Sequence, residues 1–182
     1  MEVGWYSADI LNEDTMATVT FEGNPLHLEG TLPEVGKKAP DFSLTTNDLA
    51  NRTLAEYAGK ALILVCVPSL DTPVCDMEVR RFNTEAAKLS GDVVIAAVSR
   101  DLPFAQARWC GAHNAKAVVT LSDYRTGSFG KAYGIYIKEL DLLARSIFII
   151  DKSGVLRYCE LVSEVTHEPD YDKALAELAK YA

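Results

Sequence analysis

The run ALILVCV at 61–67 has no polar residue at any position. A strand of that kind needs both of its faces covered, as in the interior of a parallel sheet. PSLDTPVC (68–75), rich in turn formers, comes next. It leads into 74–90, where Val79, Phe82, Ala86 and Leu89 recur at helical spacing. A second apolar run, DVVIAAV (92–98), completes the unit. Strand, helix and strand in that order predict two parallel neighbours joined by a right-handed crossover.

Working outward, AVVTL (117–121), SIFIID (146–151) and VLRYCEL (155–161) read as further strands. Asp151-Lys152-Ser153-Gly154 separates the last two as a tight turn, which predicts an antiparallel pair. Near the N-terminus Val19 and Phe21 alternate with Thr18, Thr20 and Glu22. Leu26 and Leu28 alternate with His27 and Glu29 after Gly23-Asn24-Pro25, as in a hairpin over 17–29. Tyr171, Ala174, Leu175 and Leu178 form a helical stripe behind Pro169, which predicts a C-terminal helix over 170–181. The expected fold is α/β, with a mixed central sheet flanked by helices and an N-terminal β-hairpin. Residues 1–15 differ in character from the rest of the chain. They read as a disordered or loosely docked extension, with the folded domain over 16–182.

Composition excludes several classes of function. A chain of 182 residues with net charge −8 argues against nucleic acid and anionic membranes as partners. No apolar stretch approaches the roughly 20 residues that span a bilayer. MEVGWYSADILNEDT (1–15) is acidic and lacks the apolar segment of a signal peptide, so a cytoplasmic location is expected. The four cysteines, Cys66, Cys75, Cys110 and Cys159, form no C-x-x-C pair. That speaks against a zinc ribbon and a thioredoxin-type dithiol, and one or two reactive thiols are expected instead.

Cys75 is the cysteine with a setting. Pro73 suits the first turn of a helix, so Cys75 falls where backbone N–H groups lack intrahelical acceptors. A helix N-terminus contributes about 0.3–1 kcal/mol to a nearby anion, too little to hold a thiolate at neutral pH unaided. An arginine close by is therefore expected. A fast thiol also needs donors aimed at the oxygen that leaves.

PSLDTPVC carries a proline, then a threonine, then a cysteine three residues later, and this resembles the peroxiredoxin pattern. DLPFAQARWC (101–110), LLARSIFIID (142–151) and EPDYDKAL (168–175), with GNPLHLEG and VRRFN, are similar to the thiol peroxidase branch of that family. The resemblance runs from about residue 17 to the end. It implies a thioredoxin-like fold and a homodimer, with no metal or prosthetic group. Residue by residue it implies Cys75 as the peroxidatic cysteine and Thr72 as the threonine whose hydroxyl bonds thiolate and peroxide. Pro68 would shield the pocket, Arg145 would stabilise the thiolate and orient the peroxide, and Cys110 would be the resolving cysteine. The implied activity is reduction of hydrogen peroxide and organic hydroperoxides through a Cys75 sulfenic acid and a Cys75–Cys110 intrachain disulfide, recycled by a thioredoxin-like dithiol.

Each of these residues also has a plainer reading. Pro68 could end a strand, Thr72 could cap a helix, and Arg145 could be a surface strand end. It is their co-occurrence that favours a site. Cys66 and Cys159 read as small hydrophobes. Trp109 reads as a packing residue, and His27, His113 and His167 show no ligand spacing. A glutathione-peroxidase-like enzyme would need its own tryptophan and glutamine partners. A redox sensor or holdase would share the reactive Cys75, and a non-catalytic binding domain would have no use for the group.

Overall fold

A computed structural model describes residues 17–89 and 91–181. The expectation for residues 1–15 and for a domain start at Met16 lies outside them. Among the described residues the central sheet has seven strands. In chain order these are β3 (Ser43–Thr45), β4 (Asn51–Thr53), β5 (Ala61–Cys66), β6 (Val93–Ser99), β7 (Val119–Ser122), β10 (Ser146–Ile150) and β11 (Leu156–Leu161). Their spatial order is β11-β10-β5-β6-β7-β3-β4. β5, β6 and β7 are parallel neighbours, whereas β10 runs antiparallel to both β5 and β11. The turn between β10 and β11 closes on itself, with Gly154 N–H donating to Asp151 O at 2.9 Å.

Both faces of this sheet are covered, which is why 61–67 carries no polar residue. Ile63, Val65, Ile95 and Ala97 pack beneath α1 (Pro73–Ala86), α2 (Pro103–His113) and α4 (Tyr171–Leu178). Leu62, Leu64, Cys66 and Val98 face the other way. They meet α3 (Ser128–Ala132) and a second, four-stranded sheet. That sheet joins the hairpin β1 (Thr18–Phe21) and β2 (Asn24–Glu29) to β8 (Tyr136–Ile137) and β9 (Leu142–Leu143).

The hairpin and α1 differ in their bounds from expectation. The hairpin turns at Glu22 and Gly23, both at positive φ, one step earlier than Gly23-Asn24-Pro25 suggests. Two successive positive φ values match the twist of a two-residue hairpin, and Pro25 then sits within β2 opposite Thr20. α1 ends at Ala86, because Leu89 N–H bonds Ala86 O in a tighter turn. α2 itself runs to His113 and ends on Asn114 in the left-handed region, which Asn tolerates.

The hairpin is fastened to the segment after β11. Thr20 N–H donates to Ser163 O at 2.7 Å, and Val165 N–H donates to Thr20 O at 2.8 Å. Glu164 accepts from the Thr20 hydroxyl at 2.7 Å and from Glu22 and Gly23 N–H at 3.0 and 3.1 Å.

Candidate active site

Cys75 stands in the first turn of α1, fully buried, with Thr72 at the N-cap and Pro73 leading the helix. Asp76 N–H closes the first intrahelical bond onto Thr72 O at 2.9 Å. The N–H groups of Val74 and Cys75 thus have no intrahelical acceptor, and they concentrate positive potential at the thiol. The loop before the helix is fixed by Asp101, just beyond β6. Its carboxylate accepts from Ser69 Oγ and from Leu70 N–H, both at 2.8 Å, and from Ser99 Oγ at 2.7 Å. Pro68, on the chain between β5 and this loop, is buried. Thr72 Oγ1 donates its proton to Ser69 O at 2.9 Å, which leaves its lone pairs free to accept.

Arg145 is not a surface strand end. It is 2% exposed at the start of β10. Its Nη2 donates to Cys75 Sγ at 3.3 Å, so the cation demanded by the magnitudes is present. The guanidinium is aimed by two further partners. Nε and Nη2 donate to Val165 O at 3.2 and 3.0 Å, and Nη1 donates to Glu78 Oε2.

One buried guanidinium therefore faces two groups that can become anions. Burial pushes the Glu78 carboxyl up to about 7, although Arg145 pulls the other way and Glu160 and Glu168 add to the rise. Burial also works against the Arg145 charge, but Glu78 and Cys75 outweigh it and hold the guanidinium protonated. Glu78 Oε1 has no hydrogen-bond partner among the described residues. Glu78 can thus hold a proton near neutral pH while Arg145 keeps its charge beside the Cys75 sulfur.

Cys110 lies apart from this group. It is half-buried in the last turn of α2, and its sulfur stands 3.5 Å from Thr120 Oγ1 on β7. All four cysteines are free thiols. The structure thus brings Cys75 and Arg145 into contact at one helix start, with Thr72 and Pro68 on the chain leading into it. Cys110 sits with β7. Among the described residues no cluster of His, Cys, Asp or Glu is placed to hold a metal, and no helix is long and apolar enough to cross a membrane.

Three contributors escaped the sequence reading. Glu78 carried a signal, an acid three residues after Cys75 on the face that Val79 and Phe82 bury. Asp101 acts on Ser69 and Leu70, 32 and 31 residues back along the chain, a separation that no local pattern marks. Val165 acts through its carbonyl, and a backbone group leaves no trace in side-chain patterns.

Comparison with known proteins agrees with this geometry. The Redoxin family matches residues 34–175. A thiol peroxidase of Bacillus subtilis (strain 168) is 54% identical over 160 residues, covering 88% of this chain and 95% of the relative. A thiol peroxidase of Halalkalibacterium halodurans is 52% identical over 167 residues, covering 92% and 99%. The crystal structure of a peroxiredoxin-like protein from Aquifex aeolicus superposes with a TM-score of 0.85 at 40% identity, covering 92% of this chain and 99% of that one. A thioredoxin-like sheet with an added hairpin, a cysteine at a helix start and these relatives all agree: the chain belongs to the Redoxin family, among the thiol peroxidases of the peroxiredoxin group.

Proposed function

We propose that Cys75 is the nucleophile of this peroxidase and Cys110 its resolving thiol. The observation that carries the reading is Arg145 Nη2 at 3.3 Å from a buried Cys75 Sγ in the first turn of α1. The Cys75 thiolate attacks the terminal oxygen of a hydroperoxide. The S–O bond forms as the O–O bond breaks, Cys75 becomes a sulfenic acid, and the departing alkoxide or hydroxide takes up a proton. Arg145 and the free N–H groups of Val74 and Cys75 neutralise charge on sulfur and oxygen as it shifts. Thr72 Oγ1, its own proton given to Ser69 O, accepts the hydroperoxide O–H and orients it. Pro68 keeps bulk water from the thiolate.

Cys110 then attacks the sulfenic sulfur, the S–S bond forms, and hydroxide leaves as water. A dithiol of the thioredoxin type restores both thiols by exchange. A reducing cytoplasmic compartment suits that reductant. We read the active unit as a homodimer, with Leu102 and Phe104, both exposed at the start of α2, as an apolar face for the second copy.

The test is peroxide-dependent NADPH oxidation coupled through thioredoxin and its reductase, with hydrogen peroxide and an alkyl hydroperoxide as alternatives. Cys75→Ser should abolish turnover while the fold survives, because a hydroxyl without a base is a poor nucleophile. Appreciable residual turnover in that variant would contradict the assignment.

A further inference from the structure

Asp76 is the next residue after Cys75, yet its side chain points away from the thiol and towards α2. Its Oδ1 accepts from Trp109 Nε1 at 2.9 Å and stands 3.2 Å from His113 Nε2, an ion pair when that ring is protonated. Oδ2 faces Arg80 at 3.4 Å, one turn along α1. Trp109, 3% exposed, is the neighbour of Cys110, and its ring lies against His113 with centroids 4.8 Å apart. His113 Nδ1 in turn faces Trp109 O at 3.0 Å. A second tie runs alongside, from Arg108 Nη2 to both oxygens of Asp71 at 3.0 Å. That pair is exposed and contributes little, whereas the bond from Trp109 is sheltered and charge-assisted.

The first turn of α1 and the last turns of α2 are thus cross-linked beside both cysteines. A disulfide between Cys75 and Cys110 needs their Cα atoms within about 7 Å. Here Cys75 is bonded to Arg145 at the start of β10, and Cys110 touches Thr120 on β7. β10 and β7 stand three strand spacings apart, roughly 14 Å. The Cys75 turn has to open for the bond to form, and opening it pulls Asp76 off Trp109 and His113.

We infer that Asp76 is a positioning residue that clasps the Cys75 helix to the Cys110 helix and thereby sets the rate at which Cys75 sulfenic acid becomes disulfide. The inference rests on the reading of Cys75 and Cys110 given above. It makes the clasp a control on the race between the resolving thiol and a second peroxide, which would carry Cys75 to the sulfinic state.

The experiment adds one equivalent of hydrogen peroxide to the reduced full-length chain and quenches with acid. Sulfenic acid and disulfide are counted by mass spectrometry over time, and a separate titration gives the peroxide dose that leaves half of Cys75 sulfinic. Asp76→Ala should form disulfide about tenfold faster, as expected for loss of one charge-assisted hydrogen bond, and should tolerate more peroxide. Its sulfenic acid should form at the wild-type rate, which a merely structural lesion at the helix start would slow. Trp109→Phe keeps the ring and removes the donor, and it should shift both readouts in the same direction, so a poorly folding Asp76→Ala does not decide the matter. Unchanged or slower disulfide formation in Trp109→Phe, or in a folded Asp76→Ala, would overturn the clasp. An intrachain disulfide persisting in Cys110→Ser would instead overturn the underlying choice of resolving thiol.

Discussion

Arg145 reaches 70 residues back along the chain to place Nη2 3.3 Å from Cys75 Sγ, and both groups are buried. Removing it withdraws the cation from the Cys75 sulfur and also strands Glu78. Arg145→Ala should therefore slow peroxide reduction and alkylation of Cys75 at neutral pH. It should also cost about 3–5 kcal/mol in stability, the usual penalty for breaking a buried pair from one side. The double variant Arg145→Met with Glu78→Leu separates the two effects, because apolar replacement of a whole buried pair is often neutral. Denaturant unfolding should recover in the double variant while turnover stays slow. Turnover that recovered with stability would make Arg145 a structural residue only.

Glu78 gives a pH signature. Its carboxyl holds a proton more tightly when folded, near 7 against 4.5 in the free side chain. Linkage sets the sign: the folded state binds the extra proton, so the contribution is full below pH 4.5 and is lost as pH rises through 7. Glu78→Gln cannot lose that proton and should escape this decline. Unfolding free energies of the two proteins, compared at steps from pH 4.5 to pH 8, should diverge in favour of Gln with rising pH. Parallel curves would mean that Glu78 does not titrate in this window.

Cys66 and Cys159 should be dispensable for chemistry. Burial pushes the Cys66 thiol well above its ordinary value and that of Cys159 up to about 11, so neither is a thiolate at neutral pH. Cys66→Ala should cost on the order of 1 kcal/mol, from packing lost in β5. Cys159→Ala, only half-buried, should cost less. Coupled peroxidase turnover should stay near wild type in both. Loss of the oxidised disulfide in either variant would reassign the resolving partner.

Cys110→Ser should lose thioredoxin-coupled turnover, keep one round of peroxide reduction, and over-oxidise at Cys75 more readily. In the wild type, amide exchange over 72–80 and 104–112 should be faster in the disulfide form than in the reduced form, because helix ends open most easily. Identical protection in both forms would mean that the disulfide needs no local unfolding.

Period and punctuation made part of this fold legible in the sequence. β5 and β6 announce themselves because both their faces are buried, and the parallel pairing comes from the helix between them. The turn at 151–154 likewise betrays the antiparallel β10–β11 pair. β8 and β9, of two residues each, and α3, of five, are too short to show a period, and they form only because the sheet and hairpin shelter them. The site divides in the same way. Cys75 was readable from local helix geometry, and Arg145 from magnitude plus family resemblance. Glu78 and Val165 matter only through the three-dimensional meeting at Arg145, which no spacing along the chain encodes.

The N-terminal hairpin sits on the far side of the molecule's chemistry and yet belongs to it. Thr20 holds the backbone of 163–165, Val165 O holds the Arg145 guanidinium, and Arg145 holds the sulfur. A chain of backbone and side-chain links thus runs from a surface turn to the Cys75 sulfur. With Cys75 in the role proposed above, the smallest active piece of this protein should be larger than its thioredoxin-like sheet and helices. A chain trimmed to begin after Gly30 would keep Pro68, Thr72, Cys75, Cys110 and Arg145, but it would leave the guanidinium's aim to a loop without its tie to Thr20.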